Sequence, residues 1–392
     1  MCGITGYIGY RDAYPIIING LKRLEYRGYD SAGVMLYDGD KVQLAKTKGK
    51  VSSLEEKVNR EISTKGTVGV GHTRWATHGI PNDVNSHPHI SQSGNLVMVH
   101  NGIIENYDSI KQELSARGYN FQSDTDTEVL VNFIEEIKSE RGVKLGKAVQ
   151  IALNQVIGAY AIAVFDKTKP NELVVARLGS PIAIGVGKDF KEFFIASDAS
   201  PFIEYTKDAI YLEDEEMAIV KKGREVRVHA IKDDTLIDPN IQKLKLNLEQ
   251  IEKGGYEHFM LKEIHEQPKA ITDTFRGRLL VDEAIIKLSG LENNMKRFLN
   301  AERFIIVACG TSWHAGLVGE YIFEEFARLP VEVEYASEFR YRNPVISEKD
   351  IVIAISQSGE TADTLAAIKL ARSKGAFVFG ICNVVGSSIA RE

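Results

Sequence analysis

The pattern of apolar runs changes once along the chain, near residue 300, and this change limits the available folds most strongly. Before it, four short runs follow one another at hairpin distances, as in an antiparallel sheet: AYAIAVFD, ELVVARLG, PIAIGVG and EFFIASD. From Arg303 onward, buried Ile/Val runs alternate with amphipathic helical segments, which favours a parallel α/β sheet. The sequence therefore predicts two folding units of different class.

A polar stretch marks the boundary between these units. After about residue 222 the chain becomes polar and carries a proline and a glycine pair, as a connector does. The 392 residues are enough for two or three domains. We expect a first domain over 2–235, a linker over 236–290 and an α/β unit over 291–392.

Composition excludes several classes of function. The net charge of -6 and the absence of a basic run give no reason to expect nucleic acid or an anionic membrane as a partner. No apolar stretch reaches the roughly 20 residues of a membrane span. The three widely spaced cysteines, Cys2, Cys309 and Cys382, form neither a disulfide framework nor a zinc motif. These features together predict a cytoplasmic protein.

Cys2 directly follows the initiator methionine. A small side chain at this position permits removal of Met1, which leaves a free α-amine on Cys2 itself. Such an amine has a pKa of about 7.7–8.0, so it can act as the base for its own thiol. The alternative is a small apolar residue at a chain start, and Cys2 alone does not decide between the two.

Six blocks of sequence in a fixed order decide it: CGITGYIG, LEYRGYDSAG, GHTRWATHG, NSHPH, HNGIIEN and SDTDTE. They resemble the class II glutamine amidotransferases over nearly all of the first 220 residues. The resemblance implies an α+β N-terminal-nucleophile fold, an αββα sandwich, in which Cys2 attacks the side-chain amide of glutamine and releases ammonia.

The chemistry of amide hydrolysis explains the residue types in these blocks. An oxyanion hole needs two donors, and Asn101 and Gly102 offer a side-chain amide and a backbone N–H. Arg74 suits the α-carboxylate of glutamine and Asp126 suits its α-ammonium group. The resemblance implies these same roles, and it adds further glutamine-binding positions at Trp75, Thr77, His78 and His87.

Each of these residues also has a structural interpretation. Asn101-Gly102 is a common turn pair, Arg74 suits a surface ion pair, and Asp126 suits a helix N-cap. A metal site is a further alternative, because five of the nine histidines lie within 29 residues and His87 and His89 are close enough to chelate. No carboxylate stands at ligand spacing and no H-E-x-x-H motif occurs, so we expect no metal.

A second candidate site lies in the α/β unit, in ACGTSWHAG (308–316) and SQSGETADT (356–364). Each string follows an apolar strand and opens a helix, where backbone N–H groups and the helix dipole favour an anion. The alternative is that these hydroxyls only cap helices and close turns. No Walker lysine or G-x-G-x-x-G pattern indicates ATP or a dinucleotide. The residues that could surround one phosphate are Ser356, Gln357, Ser358 and Thr361.

These two strings resemble the flavodoxin-like sugar isomerase (SIS) domain, which binds phosphosugars. Joined by YEHFMLKEIHEQP, the two domains together resemble the glutamine–fructose-6-phosphate aminotransferases, which make glucosamine 6-phosphate for amino-sugar biosynthesis. The resemblance implies fructose 6-phosphate as second substrate, no cofactor, a homodimer, and sugar and phosphate contacts at Thr311 and Ser312. Because the chain stops at Glu392, we expect an SIS domain incomplete at its C-terminus. The isomerase lysine, glutamate and histidine of the family would lie beyond it.

Two other functions fit parts of the sequence. An amidophosphoribosyltransferase shares the first domain, but its phosphoribosyl-diphosphate loop with paired acidic residues is not found, and SQSGET stands in its place. A non-catalytic sugar-phosphate sensor would need only the second unit. The complete set of Cys2, Arg74 and Asn101 argues against a sensor.

Overall fold

The computed structural model describes residues 2–75, 79–244, 254–384 and 387–392, and the chain divides into two compact units, Met1–Glu252 and Lys253–Glu392. Each unit has its own hydrophobic core. The two units are described separately below.

The first unit contains an eight-stranded sheet in which every neighbouring pair is antiparallel. Its spatial order is β15-β11-β9-β10-β1-β4-β2-β3, so β1 is an interior strand. The strands are β1 (Gly3–Ile8), β2 (Ser31–Tyr37), β3 (Val42–Lys48), β4 (Val68–Arg74), β9 (Ala183–Val186), β10 (Phe193–Ala196), β11 (Asp208–Tyr211) and β15 (Ile241–Lys243).

A seven-stranded antiparallel sheet faces the first one, in the order β14-β13-β12-β8-β7-β6-β5. Its strands are β5 (His89–Ile90), β6 (Leu96–Ile104), β7 (Gly158–Asp166), β8 (Glu172–Leu178), β12 (Glu216–Lys221), β13 (Arg227–Ala230) and β14 (Leu236–Ile237).

Alternation along the strands creates the layers. Ile4 and Ile8 of β1 join Val97 and Val99 of β6 in one core between the sheets. The opposite faces of the two sheets pack under helices, which complete the αββα sandwich expected from the sequence. Helices α1 (Ala13–Leu24) and α2 (Val51–Glu61) cover the first sheet, and α4 (Asp126–Arg141) and α5 (Leu145–Leu153) cover the second, with α3 (Tyr107–Ala116) packed on α4.

Two local features differ from the sequence-based expectation. The hairpin spacing of β7 to β10 predicted one antiparallel sheet, but β7 and β8 lie in the second sheet while β9 and β10 lie in the first. Hairpin spacing reports that strands are near neighbours in sequence and does not report which sheet each one joins. In addition, β14 and β15 belong to the sheets of the first unit, although residues 236–243 were expected to begin the linker.

The second unit holds a four-stranded parallel sheet in the order β19-β18-β20-β21. This arrangement, 2-1-3-4 by chain order, agrees with the flavodoxin-like order and confirms the predicted α/β class. Its strands are β18 (Arg303–Ala308), β19 (Val331–Tyr335), β20 (Asp350–Ser356) and β21 (Phe377–Cys382), and its helices are α9 (Thr311–Ile322), α10 (Ala336–Tyr341), α11 (Ala362–Ser373) and α12 (Ser388–Arg391).

The N-terminal part of the second unit is less compact. A long helix carries Pro268 in its interior, and most of its side chains are exposed. A short hairpin and two short helices connect it to β18. These elements are α6 (Phe259–Phe275), β16 (Leu279–Leu280), β17 (Ile285–Ile286), α7 (Ser289–Glu292) and α8 (Met295–Leu299). None of the described helices has the length and apolar character to cross a membrane.

Candidate active site

Cys2 lies immediately before β1, and its position follows from the alternation of that strand. Ile4 and Ile8 face the space between the sheets, and Cys2 continues the same even-numbered series. The neighbouring strand β4 places Thr73 opposite Gly3, so the chain after Arg74 passes beside the cysteine.

The Cys2 sulfur is held by the backbone of Trp75. The Trp75 N–H donates to Cys2 Sγ at 3.2 Å. Burial raises the pKa of the Cys2 thiol above its ordinary value, while the Trp75 backbone and the Arg74 guanidinium act in the opposite direction. The net effect favours the neutral thiol, so these groups do not by themselves supply a thiolate at neutral pH.

Asn101 reaches Cys2 from the opposite sheet. It continues the odd-numbered series of Val97 and Val99 on β6, which also faces the space between the sheets. Its amide nitrogen donates to the Cys2 backbone oxygen at 3.1 Å and to Ser197 Oγ at 3.1 Å. The alternative that Asn101-Gly102 forms a plain turn is wrong, because both residues lie inside β6.

Gly102 occupies a backbone conformation that excludes other residues. Its φ is 134°, and a Cβ built at this position would lie 2.0 Å from the carbonyl oxygen of Ala159 on β7. The close approach of the two backbones leaves room only for glycine. At Gly102, next to Asn101, the backbone of β6 therefore lies directly against β7 with no side chain between the two strands.

Arg74 is buried at the end of β4, so the surface ion-pair interpretation is wrong. It donates to the Gly79 carbonyl oxygen at 3.2 Å. Burial lowers the pKa of its guanidinium, and the nearby charges of Asp30, Cys2 and Asp126 oppose that shift. A buried cation with acidic groups close by is an arrangement suited to a zwitterionic amino acid.

Asp126 is the first residue of α4 and does not cap the helix. The N-cap is Thr125, whose hydroxyl accepts from the Glu128 N–H. Asp126 instead turns toward β6, where its Oδ2 accepts from the Ile104 N–H at 2.9 Å. The N-cap interpretation of Asp126 is therefore wrong, and its carboxylate lies close enough to Arg74 to affect its pKa.

His87 belongs to a group of buried histidines, the histidine cluster, made of His72, His87, His89 and His100. The rings of His72 and His87 stack with centroids 4.2 Å apart, and His89 meets His87 edge-on at 4.9 Å. His87 Nδ1 accepts from the His100 N–H, so its Nε2 carries the proton and donates to Thr127 Oγ1.

The remaining predicted glutamine-binding residues lie on the segment after β4. Trp75 is half exposed and packs edge-on against Tyr29, with ring centroids 5.4 Å apart. Thr77 and His78 fall outside the described residues. Among the described residues, no group of three or more histidine, cysteine or acidic side chains is arranged to hold a metal ion.

Two contacts at this site were missed from the sequence, those of His72 and Ser197. His72 Nε2 lies 2.8 Å from Asn101 Oδ1, and Ser197 Oγ accepts from both Asn101 and the Ile4 N–H. The alternation of β4 carries a signal for His72, because Val70, His72 and Arg74 share one face. Nothing local marks Ser197, which follows β10 and is brought close only by the sheet.

The second candidate site lies at the carboxyl edge of the parallel sheet. Strands β18 and β20 are parallel neighbours, and the loops after them lead into α9 and α11. From β18 the chain continues to one edge of the sheet, and from β20 it continues to the other edge. The space between these two strands is therefore the topological switch point, where open α/β sheets bind ligands. The sheet therefore brings the two predicted phosphosugar strings to one edge.

Hydroxyl groups of the second string are partly used within the loop itself. Ser356 Oγ accepts from the Gly359 N–H at 3.0 Å and lies 3.4 Å from Thr361 Oγ1, and Ser358 Oγ accepts from the Glu360 N–H at 3.1 Å. Gln357 and Thr311 are exposed and Ser312 is half buried. A contact not expected from the sequence joins Glu360 Oε1 to the Ser388 N–H at the start of α12.

Comparison with known protein families separates the same two parts of the chain. Residues 57–246 match the glutamine amidotransferase domain, and residues 297–392 match the SIS domain.

Two relatives match the chain over both of these parts. Over the whole length of this chain, it is 59% identical to the glutamine–fructose-6-phosphate aminotransferase [isomerizing] of Bacteroides thetaiotaomicron and 55% identical to that of Chlorobaculum tepidum. The chain thus combines a glutamine amidotransferase domain with an SIS domain, and along its whole length it is similar to glutamine–fructose-6-phosphate aminotransferases. It spans 63% and 64% of the length of these two relatives.

Solved structures agree on the fold. The glutamine phosphoribosylpyrophosphate amidotransferase of B. subtilis matches 97% of the chain with a TM-score of 0.52 at 22% identity. The match covers 81% of that protein. A second structure, an allosteric regulatory enzyme of purine biosynthesis, matches 97% of the chain with a TM-score of 0.54 at 21% identity, over 80% of that protein. At these identities the likeness shows the fold alone.

The histidine cluster predicts acid sensitivity of the first unit. Burial lowers the pKa of His72 to about 3, and it holds the pKa values of His87 and His89 well below the ordinary 6.5. As the pH falls, these histidines bind protons in the unfolded chain before they do so in the folded chain. Their contribution to the free energy of unfolding is therefore fully present above about pH 6.5 and is lost as the pH falls toward 3. Each histidine contributes up to about 1.4 kcal/mol per pH unit.

Urea unfolding at pH values between about 7.5 and about 5 measures how the free energy of unfolding depends on pH. Limited proteolysis in which peptides from β6 are followed assigns the transition to the first unit. The matched variant His89→Gln removes one buried imidazole and should have a shallower slope. A first unit whose unfolding free energy does not change over this range would show that the histidines are not buried in their neutral form.

Proposed function

We propose that the first unit hydrolyses glutamine with Cys2 as the nucleophile, and that the protein uses the released ammonia to convert fructose 6-phosphate into glucosamine 6-phosphate. The observation that carries the first step is the meeting of Cys2 with the Asn101 amide, 3.1 Å from the Cys2 backbone, at the point where the two sheets come together. The family relationship carries the second step.

The proposed reaction begins with Cys2 as the first residue of the processed chain. Its free α-amine takes the proton of the thiol, and this base is needed because burial raises the pKa of the sulfur. The thiolate attacks the carboxamide carbon, and the resulting oxyanion is held by the Asn101 amide and the Gly102 N–H. As this intermediate collapses, the α-ammonium of Cys2 returns its proton to the leaving nitrogen, so the C–N bond breaks with release of ammonia and a thioester remains, which water hydrolyses to glutamate.

Glutamine would be oriented by its two charged ends. In the proposal the Arg74 guanidinium binds the α-carboxylate and the Asp126 carboxylate binds the α-ammonium group. Both residues are buried, so these contacts would form in a medium that strengthens them. Trp75 and His87, together with Thr77 and His78, complete the proposed glutamine pocket.

The second unit would bind the phosphate of the sugar. Thr311, Ser312, Ser356, Gln357, Ser358 and Thr361 are the proposed contacts. The support is the position of both loops at the carboxyl edge of adjacent parallel strands, each leading into a helix of 12 residues. Cytoplasmic location, expected from the composition, and a homodimer, implied by the resemblance, remain predictions.

An amidophosphoribosyltransferase activity is the second candidate, because the fold of such an enzyme matches the chain. That likeness is at 22% identity, whereas the named aminotransferase relatives reach 59%. A preference for phosphoribosyl diphosphate over fructose 6-phosphate in a binding assay would favour this candidate instead.

Replacement of the nucleophile tests the first step. Cys2→Ala should lower the rate of glutamate release from glutamine by at least about 10⁴-fold, as expected for loss of a covalent nucleophile. The matched control is Cys309→Ala, because Cys309 is a partly buried packing residue of the second unit. Glutamate release that survives Cys2→Ala would eliminate the proposed mechanism.

Removal of one hydroxyl tests the phosphosugar site. Thr361→Val keeps the shape of the side chain and should weaken fructose 6-phosphate binding by about tenfold or more, since a hydrogen bond to a charged group is lost. Ser373→Ala removes a hydroxyl at the far end of α11, where it bonds Leu370 O, and should bind normally. Calorimetric titration would contradict the site if both variants bound with the affinity of the unmodified chain.

A further inference from the structure

The oxygen of the Asn101 amide has a partner that no proposed catalytic role accounts for. Asn101 Oδ1 lies 2.8 Å from His72 Nε2, and the same nitrogen lies 3.0 Å from the backbone oxygen of His100. Both of these oxygens can only accept hydrogen bonds. His72 Nε2 must therefore carry a proton that it shares between them.

The surroundings of His72 fix this tautomer. The ring is 1% exposed and stacks on His87, and burial lowers its pKa to about 3, so it is neutral and has a single N–H. Its Nδ1 has no hydrogen-bond partner among the described residues. A proton on Nδ1 would leave that donor buried and unpaired and would leave two acceptors facing Nε2.

A fixed donor at His72 also fixes which end of the Asn101 amide faces Cys2. Oxygen and nitrogen of an amide have nearly the same shape, so their placement depends on the partners at each end. With the oxygen held by His72, the NH₂ group points toward Cys2 and Ser197, where it donates to two acceptors. A reversed amide would aim its oxygen at the backbone oxygen of Cys2.

The two ends of the Asn101 amide have different roles in the proposed reaction. Both protons of the NH₂ group already have acceptors in this structure, so donation to an oxyanion requires one of those bonds to be shared or exchanged. The contact to His72 involves the other end of the amide and need not change. It is therefore the anchor about which Asn101 can redirect a proton.

We propose that His72 is a positioning residue for glutamine hydrolysis, which holds the Asn101 amide with its NH₂ group toward the oxyanion of the Cys2 reaction. This inference rests on the proposed function of the first unit. His72 does not touch the substrate in this account, and its effect passes entirely through Asn101.

Two substitutions separate the position of the donor from the presence of a polar side chain. The amide nitrogen of Gln can reach the place of His Nε2, whereas the shorter Asn side chain reaches only the place of Nδ1. His72→Asn should lower kcat for glutamate release about tenfold, the usual effect of one hydrogen bond, with little change in KM for glutamine. His72→Gln should restore most of the rate.

His229→Leu serves as the control for loss of a histidine hydrogen bond in the same unit. His229 lies on β13, bonded through Nδ1 to Asp234, and is outside the proposed site. Its kcat should equal that of the unmodified chain. Equal rates for His72→Asn and His72→Gln, whether both are normal or both are impaired, would contradict a role for the Nε2–H donor.

A double-mutant cycle distinguishes action through Asn101 from a general structural role. In an Asn101→Ala background, His72→Asn should cause no further loss of kcat, because the group that it positions is gone. A full additional tenfold loss would overturn the inference while leaving the proposed function intact. Absence of glutaminase activity in the unmodified chain would instead overturn the proposed function, and this inference with it.

Discussion

The site depends on one contact between the two sheets of the first unit, the hydrogen bond from the Asn101 amide to the backbone oxygen of Cys2. The strands β1 and β6 belong to different sheets, and each presents its core-facing series to the other. Close packing between the sheets therefore sets the distance between Cys2, the proposed nucleophile, and the Asn101 amide. Gly102 is part of the same constraint, because its missing side chain allows β6 and β7 to approach beside the site.

Burial gives this site its electrostatic character. It raises the pKa of the Cys2 thiol and keeps His72, His87 and His89 neutral, so these three histidines supply directed hydrogen bonds and no charge. The Arg74 guanidinium is a buried side-chain cation whose charge lowers the pKa of the Cys2 thiol, against the larger opposing effect of burial. In this setting an α-amine on Cys2 itself is a reasonable base, since it needs no separate ionisable side chain beside the sulfur.

Much of this could be predicted from the sequence, because the decisive signals are local. Strand alternation and the motif blocks located Cys2, Asn101 and the parallel sheet of the second unit. The partners of Asn101 could not be predicted in the same way. His72 is 29 residues from Asn101 and Ser197 is 96 residues from it, so the fold alone brings them together. The division of β8 and β9 between sheets was missed for the same reason.

The central claim is that the active protein begins with Cys2 and uses the amine of that residue as its base. Intact-mass spectrometry of a preparation that releases glutamate from glutamine tests it most directly. The account predicts that the active chains lack Met1, with activity proportional to the processed fraction. A homogeneous preparation that retains Met1 and still hydrolyses glutamine at full rate would contradict it.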